Sequence, residues 1–273
     1  MMMTKFIRFA IEPFPAVALF LRNVRDLLDQ CDQPKMTLWG FTLAGHEGMA
    51  AGTFEPQETE LVRDLLLEVD VLVNVGANVG YYCCHALSLG KPVVAIEPIV
   101  RNLNYLLKNI HNNGWATQAQ VFPVALGRDT NILEMWGGKT GASLVEGWAS
   151  MPQSYKTVVP VLNLDRVVGN MLQGKRALIL VDIEGAELMM LQGANETLAQ
   201  DPRPIWMVEI MTTQSQPEGV PVNPNFAQTF EIFFSRGYRA YTADKRQEEL
   251  TREVVARIAE GKESFSTYNF LFR

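Results

Sequence analysis

Hydrophobic positions change period several times along the chain. Val17, Phe20, Leu21, Val24 and Leu28 share one face at helical spacing, which predicts a helix over residues 15–31. Residues 38–54 hold glycines and alanines in what reads as loops and short strands. A second helix is expected over 57–68, with Val62, Leu65 and Leu66 on its apolar side and Pro56 where a first turn tolerates proline. Residues 69–75 are then β-branched and almost continuously apolar, as in a strand buried on both faces. Gly76-Ala77-Asn78-Val79-Gly80 separates this strand from a helix over 81–89. A second apolar strand, 92–96, stops at Glu97-Pro98. Val100, Leu103, Leu107 and Ile110 mark the next helix, which Asn113-Gly114 ends. A third strand is expected over 119–126.

Strands alternating with helices imply right-handed crossovers and a parallel sheet, so the fold class is α/β and doubly wound. Residues 129–162 interrupt the rhythm: 131–136 and 156–162 alternate like antiparallel strands and predict a β-hairpin insertion over one sheet edge. After a short helix beyond Asn163, the winding resumes with a strand at 177–181. A helix over 185–199 carries Ala186, Met190, Ala194 and Leu198 in one row. A strand at 205–210, a proline-containing loop at 211–225, a helix at 226–236 and strands at 238–242 and 266–272 complete the pattern. No repeat or linker divides the chain. We expect an N-terminal helical and loop extension over 1–55 and one domain over 56–273.

Composition narrows the function. The 273 residues carry 24 Lys plus Arg against 30 Asp plus Glu, a net charge of −6, and no basic run, which argues against a nucleic-acid partner. No stretch reaches the roughly 20 apolar residues of a membrane span. The apolar stretch at 14–21 is flanked by charges and prolines and lacks a small-residue cleavage site, so no signal peptide is expected. That helix is expected to pack on the domain, with weak contact to a membrane interface as the lesser alternative. Cys31, Cys83 and Cys84 have no zinc or disulfide spacing and read as reduced thiols in a cytoplasmic protein.

A glycine-rich turn between a buried strand and a helix lets the backbone approach a nucleotide, and the helix start offers free N–H groups. Glu97, ending the next strand, can accept both ribose hydroxyls. The turn lacks the three spaced glycines of a dinucleotide site and the Lys-Ser/Thr of a Walker loop. A nucleoside without a phosphate chain suits it better, and S-adenosyl-L-methionine is the common one.

Several segments resemble the FkbM-type methyltransferases. Val73-Asn74-Val75-Gly76-Ala77-Asn78-Val79-Gly80-Tyr81-Tyr82 is similar to the family's first motif, and Gly52-Thr53-Phe54-Glu55-Pro56 to the segment before it. Val94-Ala95-Ile96-Glu97-Pro98 resembles the second motif and Pro123-Val124-Ala125-Leu126-Gly127 the third-strand segment. The most specific match is Val181-Asp182-Ile183-Glu184-Gly185-Ala186-Glu187 with Leu191-Gln192-Gly193-Ala194. Asn163-Leu164-Asp165 and Asn269-Phe270-Leu271-Phe272 also fit, so the resemblance spans about 52–273.

The resemblance implies a class I methyltransferase, Rossmann-like fold with S-adenosylmethionine across the carboxyl ends of the strands. Asn74, Gly76, Ala77, Asn78 and Gly80 would then line the methionine and ribose portion. Glu97 and Pro98 would border the ribose, Val124 and Ala125 the adenine, and Asp182 the methyl group. Asn74 departs from the family, which has an acidic residue there; the alternatives are a lower cofactor affinity, Asp182 supplying the charge, or an Asn74 that only braces the turn.

Methyl transfer to a hydroxyl needs alignment and a base. Asp182 and Glu209 are the catalytic candidates. Glu184 and Glu187 read as helix-start carboxylates, His46 as a loop residue, His85 as core and His111 as a helix end. No trio of ligands shows metal spacing, and no metal is expected. The expected activity is O-methylation of a hydroxyl on a sugar, glycan or other small-molecule acceptor. N-methylation and a non-catalytic nucleoside-binding protein remain as alternatives, with a nicotinamide-dependent oxidoreductase behind them.

Overall fold

The computed structural model describes residues 32–265 and 267–273, together with Val17, Phe20, Leu21 and Val24. Those four are helical and between 37% and 63% exposed, so the domain does not cover the stripe at these positions. The rest of the helix expected over 15–31 lies outside the described residues, as does Cys31.

Strands β1 (Lys35–Met36) and β2 (Thr42–Leu43) pair antiparallel and lead to helices α1 (Glu47–Ala51) and α2 (Pro56–Leu67). The winding then runs β3 (Val71–Val75), α3 (Tyr81–Ser88), β4 (Val93–Ile96), α4 (Val100–Asn112), β5 (Ala119–Phe122). The next stretch adds β6 (Ala125–Leu126), β7 (Asn131–Trp136), β8 (Lys156–Leu162) and α5 (Leu164–Val168). It continues through β9 (Ala177–Val181), α6 (Glu187–Leu191), α7 (Asn195–Leu198) and β10 (Ile205–Glu209). The last elements are α8 (Phe226–Phe234), β11 (Ala240–Thr242), β12 (Glu249–Leu250), α9 (Arg252–Ala259) and β13 (Asn269–Phe272).

Eight strands form the central sheet in the order β12-β11-β13-β10-β9-β3-β4-β5. β5, β4, β3, β9 and β10 run parallel, and β13 runs antiparallel to both β10 and β11. From β3 the chain winds outward through β4 to β5, then crosses back to β9 on the other flank of β3. The strand order therefore reverses between β3 and β9, and in open α/β sheets this reversal opens a crevice at the carboxyl ends of the strands. Every residue of β3 and of β9 is buried, because helices cover both faces. Val71, Val73 and Val75 pack on one face with Phe226, Phe230 and Val255, while Leu72 packs on the other with Val62, Cys83 and Leu106.

The expected hairpin insertion is present as β7 and β8, and β6 joins β8 to make a separate three-stranded sheet. Four local expectations are corrected. The third strand breaks at Pro123, which has no N–H for the ladder; β5 stays in the main sheet while β6 leaves it. The helix over 185–199 is two pieces, because Gly193 sits against the backbone oxygens of Gly127 and Arg128; Ala186, Met190, Ala194 and Leu198 still share the core. Residues 47–51 are helical, and β12 and α9 occupy a stretch read as connection.

The fourth correction concerns α4. Its buried face is Asn102, Tyr105, Leu106, Asn109 and Ile110, whereas Val100 and Leu107 are exposed. Two asparagines are buried because they satisfy backbone groups. The Asn109 side chain accepts from the Ala44 N–H at 2.8 Å and donates to the carbonyls of Ala44 and Val79 at 3.0 and 2.8 Å. Asn113 accepts from the Thr42 N–H and donates to its carbonyl. Phe41, Leu43, Ala44, Met49 and Ala50 share a core with Val79, Tyr81 and Tyr105, so this early segment is packed against α3, α4 and the glycine turn. Among the described residues, no helix is long and apolar enough to cross a membrane.

Candidate active site

Five parallel strands end along one rim, and the cleft above them has two joined chambers. They share Gly76, Asn78, Thr140, Asp182 and Glu184.

The first chamber, about 560 Å³ including its open mouth, mixes apolar walls with polar side chains. Ile96 and Pro98 at the end of β4, Val124 and Ala125 at the break after β5, and Met135 and Leu144 from the insertion form its walls. Glu97 stands at the tip of β4. Its Oε2 accepts from the Asn78 N–H at 2.7 Å and its Oε1 from the Ile99 N–H at 2.8 Å. Asn78 turns this N–H toward the carboxylate from a left-handed conformation, φ 51°. Burial pushes the Glu97 carboxyl up to about 7, against the opposing hydrogen bonds from Ile99, Asn78 and Asn102. Two charge-assisted bonds to fixed backbone groups hold this side chain in one place.

Gly76 turns the chain out of β3 at φ +81°, and a Cβ there would collide with the backbone oxygen of Asp182. Only glycine lets β3 and β9 end this close together. Gly80 caps α3 at φ +87°, and its added Cβ would lie 2.6 Å from Leu106 Cδ1. Gly80 lines neither chamber. Gly80 sits where α3 meets α4, against Leu106.

The second chamber, about 940 Å³ including its mouth, is acidic. Glu55, Asp182, Glu184 and Glu209 line it, with Asn74, Ala77, Phe54, Tyr81, Tyr82 and His46 around them, and no lysine or arginine is among the lining residues. Glu55 precedes α2 at φ 39° and accepts from the Tyr82 hydroxyl at 3.1 Å. Glu184 follows β9 at φ 54° and accepts from Trp148 Nε1–H at 2.7 Å. Asp182 and Glu209 accept no side-chain or backbone hydrogen bond from the described residues.

Burial raises all four acids. Glu209 is pushed up to about 10, first by burial and then by the charges of Asp182, Glu184, Glu55 and Glu187. Asp182 is exposed to the cavity, and desolvation by the surrounding protein, followed by the charges of Glu184 and Glu55, raises its pKa above the usual carboxylate range. Burial is also the first cause for Glu184 and Glu55. Burial and mutual repulsion disfavour four full negative charges side by side in this chamber.

The remaining candidates separate clearly. Asn74 lines the second chamber, with its Nδ2 3.5 Å from Cys83 Sγ. His46 also lines it. Its Nδ1 accepts from the Met49 N–H, which puts the ring proton on Nε2, and burial followed by Arg101 lowers its pKa. Glu187 is withdrawn from the cleft: it is buried, accepts from the Gly185 N–H, and burial pushes it up to about 7. Glu184 lies before α6 rather than in its first turn, so the helix-start reading is corrected for that residue. His85 is buried between Trp39, Phe41 and Tyr81, with Arg63 2.9 Å from Nδ1, and burial pushes it down to about 3. His111 is exposed in the last turn of α4. Cys83 and Cys84 are free and buried. Among the described residues, no three ligand-type side chains are grouped to hold a metal ion.

Glu55, Thr140 and Tyr82 were not singled out as site residues from sequence. Glu55 stood in a quoted segment with no role attached, and its one local signal is the Pro56 that starts α2 behind it. Thr140 arrives from the insertion, which Asn102 ties down by donating to the Lys139 carbonyl at 2.7 Å.

The family model described as the methyltransferase FkbM domain matches residues 74–240. A search of curated proteins finds no match. Among solved structures, an FkbM methyltransferase from Methylobacillus flagellatus KT is 18% identical with a TM-score of 0.44, covering 75% of this chain and 43% of that one. The chain thus spans less than half the length of that protein. A precorrin-6y C5,15-methyltransferase from Geobacter metallireducens GS-15 is 12% identical with a TM-score of 0.38, covering 77% of this chain and 86% of that one. TYW2 from P. horikoshii, in complex with MeSAdo, is 13% identical with a TM-score of 0.42, covering 89% of this chain and 70% of that one.

Proposed function

Because this chain belongs to the FkbM methyltransferase family and has the class I methyltransferase fold, we propose that it uses S-adenosylmethionine to methylate a hydroxyl of a sugar, glycan or other small metabolite. The residues present fit that cofactor. Beyond the backbone bonds and Asn102, the Glu97 carboxylate keeps acceptor capacity for a ribose hydroxyl. Ile96, Val124 and Ala125 offer apolar walls to a flat base. The acidic chamber beside them suits an ammonium and a sulfonium.

When bound, the cofactor supplies an electrophilic methyl carbon. The protein's own contribution is alignment and proton handling. An acceptor hydroxyl in the second chamber loses its proton as its oxygen is methylated, and we assign that proton to the Asp182–Glu209 pair. Positive charge placed beside the pair favours the ionised forms, so a loaded site holds a ready base. His46 suits this step less, because its Nδ1 lone pair is engaged by Met49 and its Nε2 carries the proton.

The observation that carries the reading is Glu97, fixed at the tip of β4 beside the Gly76 turn where the strand order reverses. Calorimetry with S-adenosylmethionine tests it. Glu97→Ala should weaken binding by about 1.5–3 kcal/mol, the worth of hydrogen bonds to a charged group, in a variant that still folds. Unchanged affinity would sink the assignment. Methyl release against a panel of hydroxylated and amino acceptors would then decide between oxygen and nitrogen as the methylated atom.

A further inference from the structure

The connection between β7 and β8, residues 137–155, borders both chambers. Lys139, Thr140, Ala142 and Leu144 line the first, and Thr140 also lines the second. Little holds this stretch to the domain. Trp148 is fully buried, Ser143 is the other buried side chain, and the rest are half-buried or exposed. Its backbone is irregular: Gly137 and Gly147 sit at φ 90° and 79°, and Lys139, Ala149 and Ser150 are left-handed without being glycine. Such residues cost energy and persist only where the surroundings impose them.

Both buried side chains reach one place, the turn after β9. Trp148 donates from Nε1 to Glu184 Oε2 at 2.7 Å, and Ser143 donates from Oγ to the Glu184 carbonyl. Gly185 is the seat of the indole: its φ is +96°, and a Cβ there would lie 2.5 Å from Trp148 Cζ3. Glu184 lines both chambers, so the residue that holds the connection also faces the ligand. Two smaller footings flank this one. Ala149 donates from its N–H to the Ser215 carbonyl at 2.7 Å, and Asn102 donates to the Lys139 carbonyl.

We propose that residues 137–151 are a strap that lifts to admit and release the cofactor, with Trp148 as its latch on the Glu184–Gly185 turn. The proposal rests on the cofactor reading above. A ligand that fills both chambers must cross their junction, and the strap lays Thr140 against that junction. Lifting it uncovers one indole and breaks a few hydrogen bonds, while β7, β8 and the central sheet stay paired. An opening of that size is far less costly than unfolding the domain. Ligand exchange would then be set by the latch, and equilibrium affinity mainly by the chamber walls.

Two variants of the full chain, in a Cys31→Ser background, test this. A Cβ at Gly147 would lie 3.3 Å from Pro217 Cβ, within reach of a disulfide. In Gly147→Cys/Pro217→Cys, the oxidised chain should take up and release labelled S-adenosylmethionine at least about tenfold more slowly than the same chain reduced. The reduced form carries the same strain at Gly147 and is the control. Equal rates in the two forms, with the disulfide verified by mass, would overturn the strap. Trp148→Phe keeps a ring against Gly185 and loses the N–H. Release should quicken about fivefold or more while equilibrium affinity changes less than about threefold, a split that a merely structural defect does not give. Wild-type release from a folded Trp148→Phe chain would overturn the latch. Hydrogen exchange needs no ligand. The Ser143 and Ala149 amides, bonded to the Trp136 and Ser215 carbonyls, should exchange faster than those of β8, and faster still in Trp148→Phe. Exchange as slow as in β8 would overturn the strap and leave the cofactor reading intact. If S-adenosylmethionine does not bind the wild-type chain, the cofactor reading falls and the strap's role in its exchange falls with it.

Discussion

The two chambers keep buried carboxylates under opposite conditions. Glu97, in the first, is surrounded by donors: two backbone N–H groups and the Asn102 side chain. Asp182 and Glu209, in the second, are surrounded by other acids and have no protein donor among the described residues. A carboxylate among donors is fixed in place and recognises shape. A carboxylate among carboxylates is not satisfied by the protein, and its state depends on what enters. The same residue type thus serves recognition on one side of Gly76 and charge response on the other.

The sharpest way to break this division is at the point where the chambers meet. Gly76→Ala would drive a Cβ into the Asp182 carbonyl at φ +81°. Stability should fall by more than about 3 kcal/mol, roughly 6–12 °C in melting temperature without ligand. Val at Gly76 or Gly80 would also press on protein atoms, the Asp182 backbone and Leu106, and should lower the melting temperature as well as any cofactor affinity. Native-like melting of Gly76→Ala would show that β3 and β9 need not end so close.

Asp182→Asn keeps the shape and removes a charge from the acidic side. Turnover at saturating cofactor should drop about 10²-fold, the scale of lost general-base help. Stability at pH 8 should hold or rise, since one repelling charge is gone. Wild-type turnover in this variant would remove Asp182 from the chemistry.

Next in size is the pH dependence of folding. Glu209, pushed up to about 10, holds its proton more tightly folded than unfolded; its stabilising contribution is complete below about 4.5 and is lost as pH rises toward 10. Glu97 and Glu187, near 7, act in the same sense between about 4.5 and 7. His85, pushed down to about 3, acts oppositely and loses stability as pH falls below 6.5. Denaturant titrations should therefore show stability falling by about 1–2 kcal/mol from pH 6.5 to 8.5, with a shallower slope in Asp182→Asn. A flat profile would mean that the acids repel each other less than their burial implies.

The smallest expected effect is Tyr82→Phe. It removes the hydroxyl that donates to Glu55 and should destabilise the protein by about 0.5–1.5 kcal/mol, read by thermal melting. A larger loss would place Glu55 among the fixed carboxylates rather than the responsive ones.

The sheet was legible because its strands are covered on both faces. Runs such as Val93–Ile96 and Ala177–Val181 carry no polar residue, and Val71–Val75 carries only Asn74. The first chamber was legible too, since Glu97 and the Gly76 turn are local to a strand end. The second was only half legible. Asp182 and Glu209 end strands, but Glu55 and Glu184 owe their place to left-handed backbone, which hydrophobic period does not encode. The buried face of α4 was missed for a related reason. Asn102 and Asn109 are polar by composition and interior by partnership, and those partners lie far along the chain.

Asn109 and Asn113 have a consequence for how the domain opens. Between them they take the N–H groups of Thr42 and Ala44 and return donors to both carbonyls. Two side chains on a helix thus act as a surrogate strand for residues 42–44, and the Asn109 bond to Val79 extends the ladder to the glycine turn. In hydrogen-exchange terms, the Thr42 and Ala44 amides should exchange no faster than the middle of α4, unlike ordinary loop amides. The segment that leads to His46 and Glu55 would then open together with α4 and the turn, as one cooperative unit rather than as a swinging flap.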